Sequence, residues 1–238
     1  MLGGTPNQNR AMSNRSLEMI HRDLKAFCDS PNLLETSSDR LMTNPCKGFD
    51  ATVDCDLKNF PENRQRKLGL YAENLLIQWL SLSPEHSLLA HDLVIQGENR
   101  TLGALDFIVD TPAGVEHWEL ALKFYLGVGG RDWDHWVGPS IKDSLAIKMA
   151  RVDGHQLQLS TQPVALQHLN NKGIPRPVHV KFMLKGMFFS RWGKDERPTQ
   201  CPEGLKLGLW IPQNQAIELG VFPGMWGIVE RYNWISGH

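Results

Sequence analysis

Between Leu102 and Leu126 the chain reads LGALDFIVD-TPAG-VEHWELALKFYL, a β-hairpin with its turn written in. In Thr111-Pro112-Ala113-Gly114, proline is pre-set for the second turn position and glycine is free to take positive φ. Closing Thr111 on Gly114, or Asp110 on Val115, sets Asp106 directly opposite Glu119. The alternation agrees with that register. Gly103, Leu105, Phe107 and Val109 point to one side and meet Leu122, Leu120, Trp118 and Glu116, which joins an apolar face. The other face carries Asp106, His117, Glu119, Ala121 and Lys123. A slip of one residue would send the two acids to different faces and set apolar rows against polar ones. Opposed residues hold their Cβ atoms roughly 4.5–5.5 Å apart, and like charges there are destabilising. A divalent cation offsets such a repulsion. A solvated edge, or an ion pair with Lys123, is the plainer alternative.

A third carboxylate lies upstream. Residues 68–80, LGLYAENLLIQWL, read as a helix that is apolar nearly all round. At about 100° per residue, Lys67, Tyr71, Asn74 and Gln78 cluster on one side. Glu73 sits roughly 130° from the centre of that cluster, beside Gly69, Leu76, Ile77 and Leu80. A glutamate on the packed side of a helix is costly unless it is paired or bound to metal. A buried Arg or Lys partner is the competing explanation.

The order Glu73…Asp106…Glu119…Lys123 resembles the PD-(D/E)XK nuclease superfamily, whose fold is restriction-endonuclease-like. More closely, the chain resembles domain-of-unknown-function family 1853, an uncharacterised bacterial family predicted to belong to that superfamily. The carrying segments are LGLYAENL, GALDFIVD, HWELALKFYLG and GPSIKDSLAIKMARVDGHQLQLS. The likeness runs from about Arg15 to the C-terminal tryptophans.

The resemblance implies an α/β (α+β) core of helix, three-stranded antiparallel meander and second helix, acting as a metal-dependent phosphodiesterase. Asp106 and Glu119 would be strand ligands of Mg²⁺ (or Mn²⁺), joined by the backbone carbonyl of Leu120, with Glu73 holding a metal-bound water. Lys123 would complete the catalytic set, and nucleic acid, DNA before RNA, would be the partner. Lys148 and Gln156 on the second helix are accessory candidates for holding phosphate, against a basic solvated face as the plainer reading. One departure stands out. The motif places lysine two residues after the acid, where this chain has Ala121. Lys123 lies roughly 6.6–6.8 Å further along the same face. Its flexible stem either carries the ammonium back to Glu119 or points away, which leaves a migrated lysine and a decayed site both open. A catalytically inactive protein of this fold, binding nucleic acid or a protein partner, is the alternative function.

Composition narrows the field further. A net charge of −1 over 238 residues argues against indiscriminate electrostatic binding to nucleic acid as the main activity, so any such contact rests on a local basic patch. Cys28, Cys46, Cys55 and Cys201 form no C-x-x-C pair, which argues against a zinc site or disulfide frame. No apolar run approaches a membrane span, and MLGGTPNQNRAMSNRS lacks the apolar core of a secretory signal, so a cytoplasmic location is expected.

The chain divides into an N-terminal segment (1–64), the nuclease-like core (65–160) and a β-rich, tryptophan-rich extension packed on it (161–238). The first dozen residues read as disordered. Leu17, Ile20, Leu24 and Phe27 mark a short helix ending before Ser30-Pro31. Asp50, Asp54 and Asp56 do not have EF-hand spacing and read as a solvated loop. A strand is expected near Leu88–Gln96. The glycines of GVGGRDWDHWVG lack the P-loop pattern, and Trp133 and Trp136 read as packing residues before base-stacking ones. His135 reads as a surface or packing histidine. Ser140 is the expected N-cap of a helix running to Leu159, with Asp143 in its first turn. Strands are expected at Val178–Phe189, Leu205–Ile211 and Trp226–Trp234, with a bulge invited where Lys185 adjoins Gly186.

Overall fold

The hairpin forms in the expected register. In the computed structural model, which describes residues 14–35, 40–42, 44–49, 60, 67–220, 227, 229 and 234–236, strand β2 (Thr101–Thr111) pairs antiparallel with β3 (Gly114–Gly127). The ladder runs from Thr111↔Gly114 to Phe107↔Trp118. Thr111 Oγ1 accepts the Ala113 N–H and donates to the Gly114 carbonyl, and Gly114 takes φ +106°, the conformation that excludes a side chain there. Strand β1 (Ser87–Gln96) adds antiparallel to β2, and the two-residue β4 (Trp136–Val137) caps the far end of β3.

The second half of the sheet is parallel. Strand β5 (His179–Arg191) pairs with β3 from Glu116↔His179 to Leu126↔Phe189 without a break, and β6 (Gly208–Trp210) follows. Among the described residues the sheet has six strands in the order β1-β2-β3-β5-β6, with β4 attached to β3. A parallel neighbour requires a crossover. Helices α3 (Leu145–Arg151), α4 (Leu157–Leu159) and α5 (Pro163–Asn171) provide it, with a π-helical segment, Val152–Gln156, between α3 and α4. Helix α2 (Leu68–Leu82) and helix α1 (Asn14–Asp29) cover the opposite face. There Leu24, Phe27, Leu75, Leu76 and Trp79 bury Phe107, Val109, Trp118 and Leu120. The result is an α+β sheet layered between helices.

The structure departs from several expectations. Tyr71 is buried rather than on a polar face, and its hydroxyl donates to Asp23 Oδ2 at 2.7 Å, which ties α2 to α1. Leu105 packs with Ile108, Val115 and Leu159, away from Phe107 and Val109, so side-chain phase reverses at Asp106. The second helix starts later than Ser140 predicted. Ser144 is its N-cap, accepting the Ile147 N–H, and Asp143 precedes it. No bulge forms at Gly186. Register is unbroken there, and a Cβ would lie 1.7 Å from the Lys123 carbonyl oxygen, so the glycine answers a close backbone approach.

The expected division at 160/161 runs through the sheet, because β5 pairs along its length with β3. Leu205–Ile211 contracts to the three residues of β6, and helix α6 (Gln213–Glu218) follows, so the described C-terminal part is less β-rich than expected. Most of Trp226–Trp234 lies outside the described residues, as do the first dozen residues and Asp50, Asp54 and Asp56. Trp136 is fully buried, edge-on to Phe188, as a packing residue. His135 is exposed. No helix among the described residues is long and apolar enough to cross a membrane.

Candidate active site

The β2–β3 ladder stops one pair short of Asp106 and Glu119. Instead of a backbone bond, the Leu120 N–H donates to Asp106 Oδ2 at 3.1 Å, and the strands part. On the other flank of β2, the pairs His91↔Phe107 and Leu93↔Leu105 leave Asp92 across from Asp106, and Asp92 takes φ +48°, outside the usual range for a strand. The divided sheet opens into a cleft of about 840 Å³. Glu73 and Gly69 from α2, Asp92 and Asp106 from β1 and β2, and Lys123 and Asp143 are in its wall.

The acids act on one another. Burial, then the neighbouring Glu119, then Glu73 push the Asp106 carboxyl up to about 7, against the opposing effects of the Leu120 N–H and Lys148. Burial also raises Glu73, aided by Asp92 and Glu119 and opposed by His91, whose Nε2 lies 3.2 Å from Glu73 Oε2. Glu73 is therefore half-buried at the cleft wall with a histidine partner, not enclosed among Leu76, Ile77 and Leu80. Carboxyls raised by burial and by neighbouring acids, as Asp106 and Glu73 are, mark a place that favours a positive charge.

Glu119 is almost fully buried, and both its oxygens are engaged. His117 Nε2 lies 2.9 Å from Oε1, and Gln156 Nε2 donates to Oε2 at 2.6 Å. Lys148 Nζ in turn donates to Gln156 Oε1 at 2.8 Å. The π-helical segment between the two makes this chain of contacts possible. Eight residues along a regular α-helix span about 12 Å, whereas the widened turn brings Lys148 and Gln156 together over one acid. Burial and Lys123 lower the Lys148 ammonium's pKa, while Glu119, Asp106 and Asp143 hold it up. Lys123 goes elsewhere: its ammonium donates to Asp143 Oδ2 at 2.6 Å. Of the two lysines, the one on the helix is tied to Glu119.

The structure thus lines one cleft with Glu73, Asp106 and Lys123, the last held by Asp143, and sets the buried Glu119 next to Asp106 with Gln156 and Lys148 chained to it. Asp92, His91 and His117 are contributors that the sequence reading did not assign. The adjacent polar pair His91-Asp92 in an otherwise apolar strand was the available signal, since two consecutive polar residues break period-two alternation. Among the described residues, no group of three or more His, Cys, Asp and Glu is disposed to hold a metal ion as the side chains stand.

Fold and cleft together define an α+β protein with a carboxylate cluster where its central sheet divides. The sequence matches the family described as Domain of unknown function (DUF1853) over residues 22–238, and the chain belongs to that family. No curated protein and no solved structure matches it.

Proposed function

We propose that this protein is a divalent-metal-dependent nuclease of the PD-(D/E)XK kind, hydrolysing phosphodiester bonds of nucleic acid, with DNA the first substrate to test. The observation that carries the reading is the parting of β2 and β3 at Asp106 and Glu119, with the Leu120 N–H between them and Glu73 in the same cleft. The chain order of helix, antiparallel meander and second helix supports it, being the order that the resemblance implies.

Two carboxylates suffice for the ion. Mg²⁺ is commonly held by one or two carboxylates with waters and phosphate oxygens completing an octahedron. Asp106, whose pKa is raised beside Glu119, is the chemistry such an ion relieves. When bound, the ion would lower the pKa of a water so that hydroxide is available to attack phosphorus, and would neutralise charge on the leaving oxygen. The chain's own residues do the rest. Asp106 and Glu119 hold the cation, and Glu73, bonded to His91, accepts a hydrogen bond from the attacking water. Lys148 supplies positive charge to the phosphate, a role the motif gives to the position that Ala121 occupies here. Lys123 remains with Asp143 at the wall.

Cleavage of supercoiled, linear and single-stranded DNA and of RNA, with Mg²⁺ or Mn²⁺ and with chelator, tests the reading. Turnover that falls at least about 100-fold in both Glu119→Ala and Asp106→Ala is the expected result. Binding without turnover, indifferent to chelator, would instead favour a non-catalytic protein of the same fold.

A further inference from the structure

Behind Glu119 lies a buried row of polar groups that the proposed reaction does not itself use. His117 is two residues earlier on β3 and so on the same face, and its ring is fully buried. Nε2 meets Glu119 Oε1 at 2.9 Å and Nδ1 meets Ser160 Oγ at 3.0 Å. Ser160, also buried, closes helix α4 as its C-cap. The order serine, histidine, glutamate is that of an acyl-transfer triad, yet an enclosed Ser160 hydroxyl has no route to a substrate. The same geometry has a different use.

A carboxylate only accepts hydrogen bonds, so Nε2 carries a proton toward Glu119, while the Ser160 hydroxyl bonds the other ring nitrogen. The ring is thereby fixed in rotation. With Gln156 on Oε2, Glu119 is held from both sides, and each oxygen keeps a lone pair for another partner. We infer that His117, oriented by Ser160, is a positioning residue that aims the Glu119 carboxylate at the divalent ion of the cleft. Outer partners of metal-binding carboxylates act in this way, and losing one typically costs 10–100-fold in metal affinity.

This inference rests on Glu119 being a ligand of the ion, and the test separates the two. Mn²⁺ alone is titrated calorimetrically into the full chain and its variants, each checked for native near-UV circular dichroism. Wild type is expected to bind and Glu119→Gln to lose binding. His117→Leu should weaken Mn²⁺ about 10–100-fold. His117→Gln, which returns an N–H near the Nε2 position, should recover to within about threefold, a rescue that a purely space-filling role would not produce. Ser160→Ala keeps the ring, should weaken binding by a smaller factor, and serves if His117→Leu does not fold. Nitrogen NMR of the His117 ring should show a proton on Nε2.

Wild type that fails to bind Mn²⁺ removes the nuclease reading. Wild type that binds, with folded His117→Leu equal to it, overturns the inference and leaves that reading intact. If His117→Leu does not fold, unchanged affinity in Ser160→Ala does the same. A ring found in the Nδ1–H form also overturns it.

Discussion

Asp106 is the residue on which charge, strand geometry and chemistry meet. Its carboxyl is pushed up to about 7 by burial and by Glu119 and Glu73, whereas an unfolded chain would leave it near 3.9. Between those values the folded protein binds a proton that the unfolded chain does not, so stability falls as pH rises through that window. The loss is on the order of 2–4 kcal/mol for one such group. In chelator, the melting temperature of wild type should therefore drop from pH 5 to pH 8. Asp106→Asn should flatten that dependence, and Mn²⁺ at pH 8 should restore what was lost, because a ligand of the folded state alone stabilises it. The two lysines separate by the same kind of reasoning. Lys148 reaches Glu119 through Gln156, while Lys123 is spent on Asp143. In steady-state cleavage assays Lys148→Met should lose about 100-fold or more in kcat, and Lys123→Met less than about tenfold. The reverse order would return the catalytic role to the strand.

At the scale of the elements, the hairpin was legible because its signals are local: turn residues, period-two alternation and a run long enough to count. The register of five pairs follows from them. Helices α1 and α2 were legible for the same reason. What could not be read depends on distant contacts. The parting of the strands at Asp106 is accompanied by an unusual backbone at Asp92 across from it, and the union of Lys148 with Gln156 spans a π turn with no dedicated sequence code. Such turns recur at functional sites because they re-aim side chains. The adjacency of β5 to β3 was also hidden, since the two strands are separated by the whole crossover. Gly186 is the trace it leaves in the sequence. With φ +130° and the Lys123 carbonyl 1.7 Å from any Cβ, only glycine lets the strands lie side by side. Gly186→Ala should destabilise by roughly 3 kcal/mol or more, read by urea unfolding or by loss of soluble protein. Gly154 in the π segment has open space around it and should accept alanine with far smaller effect.

Across the whole molecule, the N-terminal segment is part of the sheet's closure and not an appendage. The outer edge of β5, beyond the reach of β6, would offer unpaired backbone groups at Phe182 and Leu184. Asn32, Leu33, Arg40 and Met42 cover it. Leu33 N–H donates to the Leu184 carbonyl at 2.8 Å, Phe182 N–H to the Arg40 carbonyl at 2.7 Å, and Asn32 Oδ1 accepts the Leu184 N–H at 3.2 Å. Just behind that edge the Lys185 ammonium is fully buried over the Phe27 ring, donates to the Ser30 carbonyl, and is brought down to about 8 by burial. Helix α1 meanwhile shields Leu75 and Leu76 and receives the Tyr71 hydroxyl on Asp23. A chain beginning at Lys67 keeps every proposed active-site residue but loses all three protections. An uncovered edge strand pairs with other chains, and a buried ammonium stripped of its carbonyl is costly. Such a chain should aggregate or lose near-UV circular dichroism while retaining far-UV signal. Soluble, cooperatively unfolding protein from Lys67 onward would show instead that the sheet closes without the segment that covers β5.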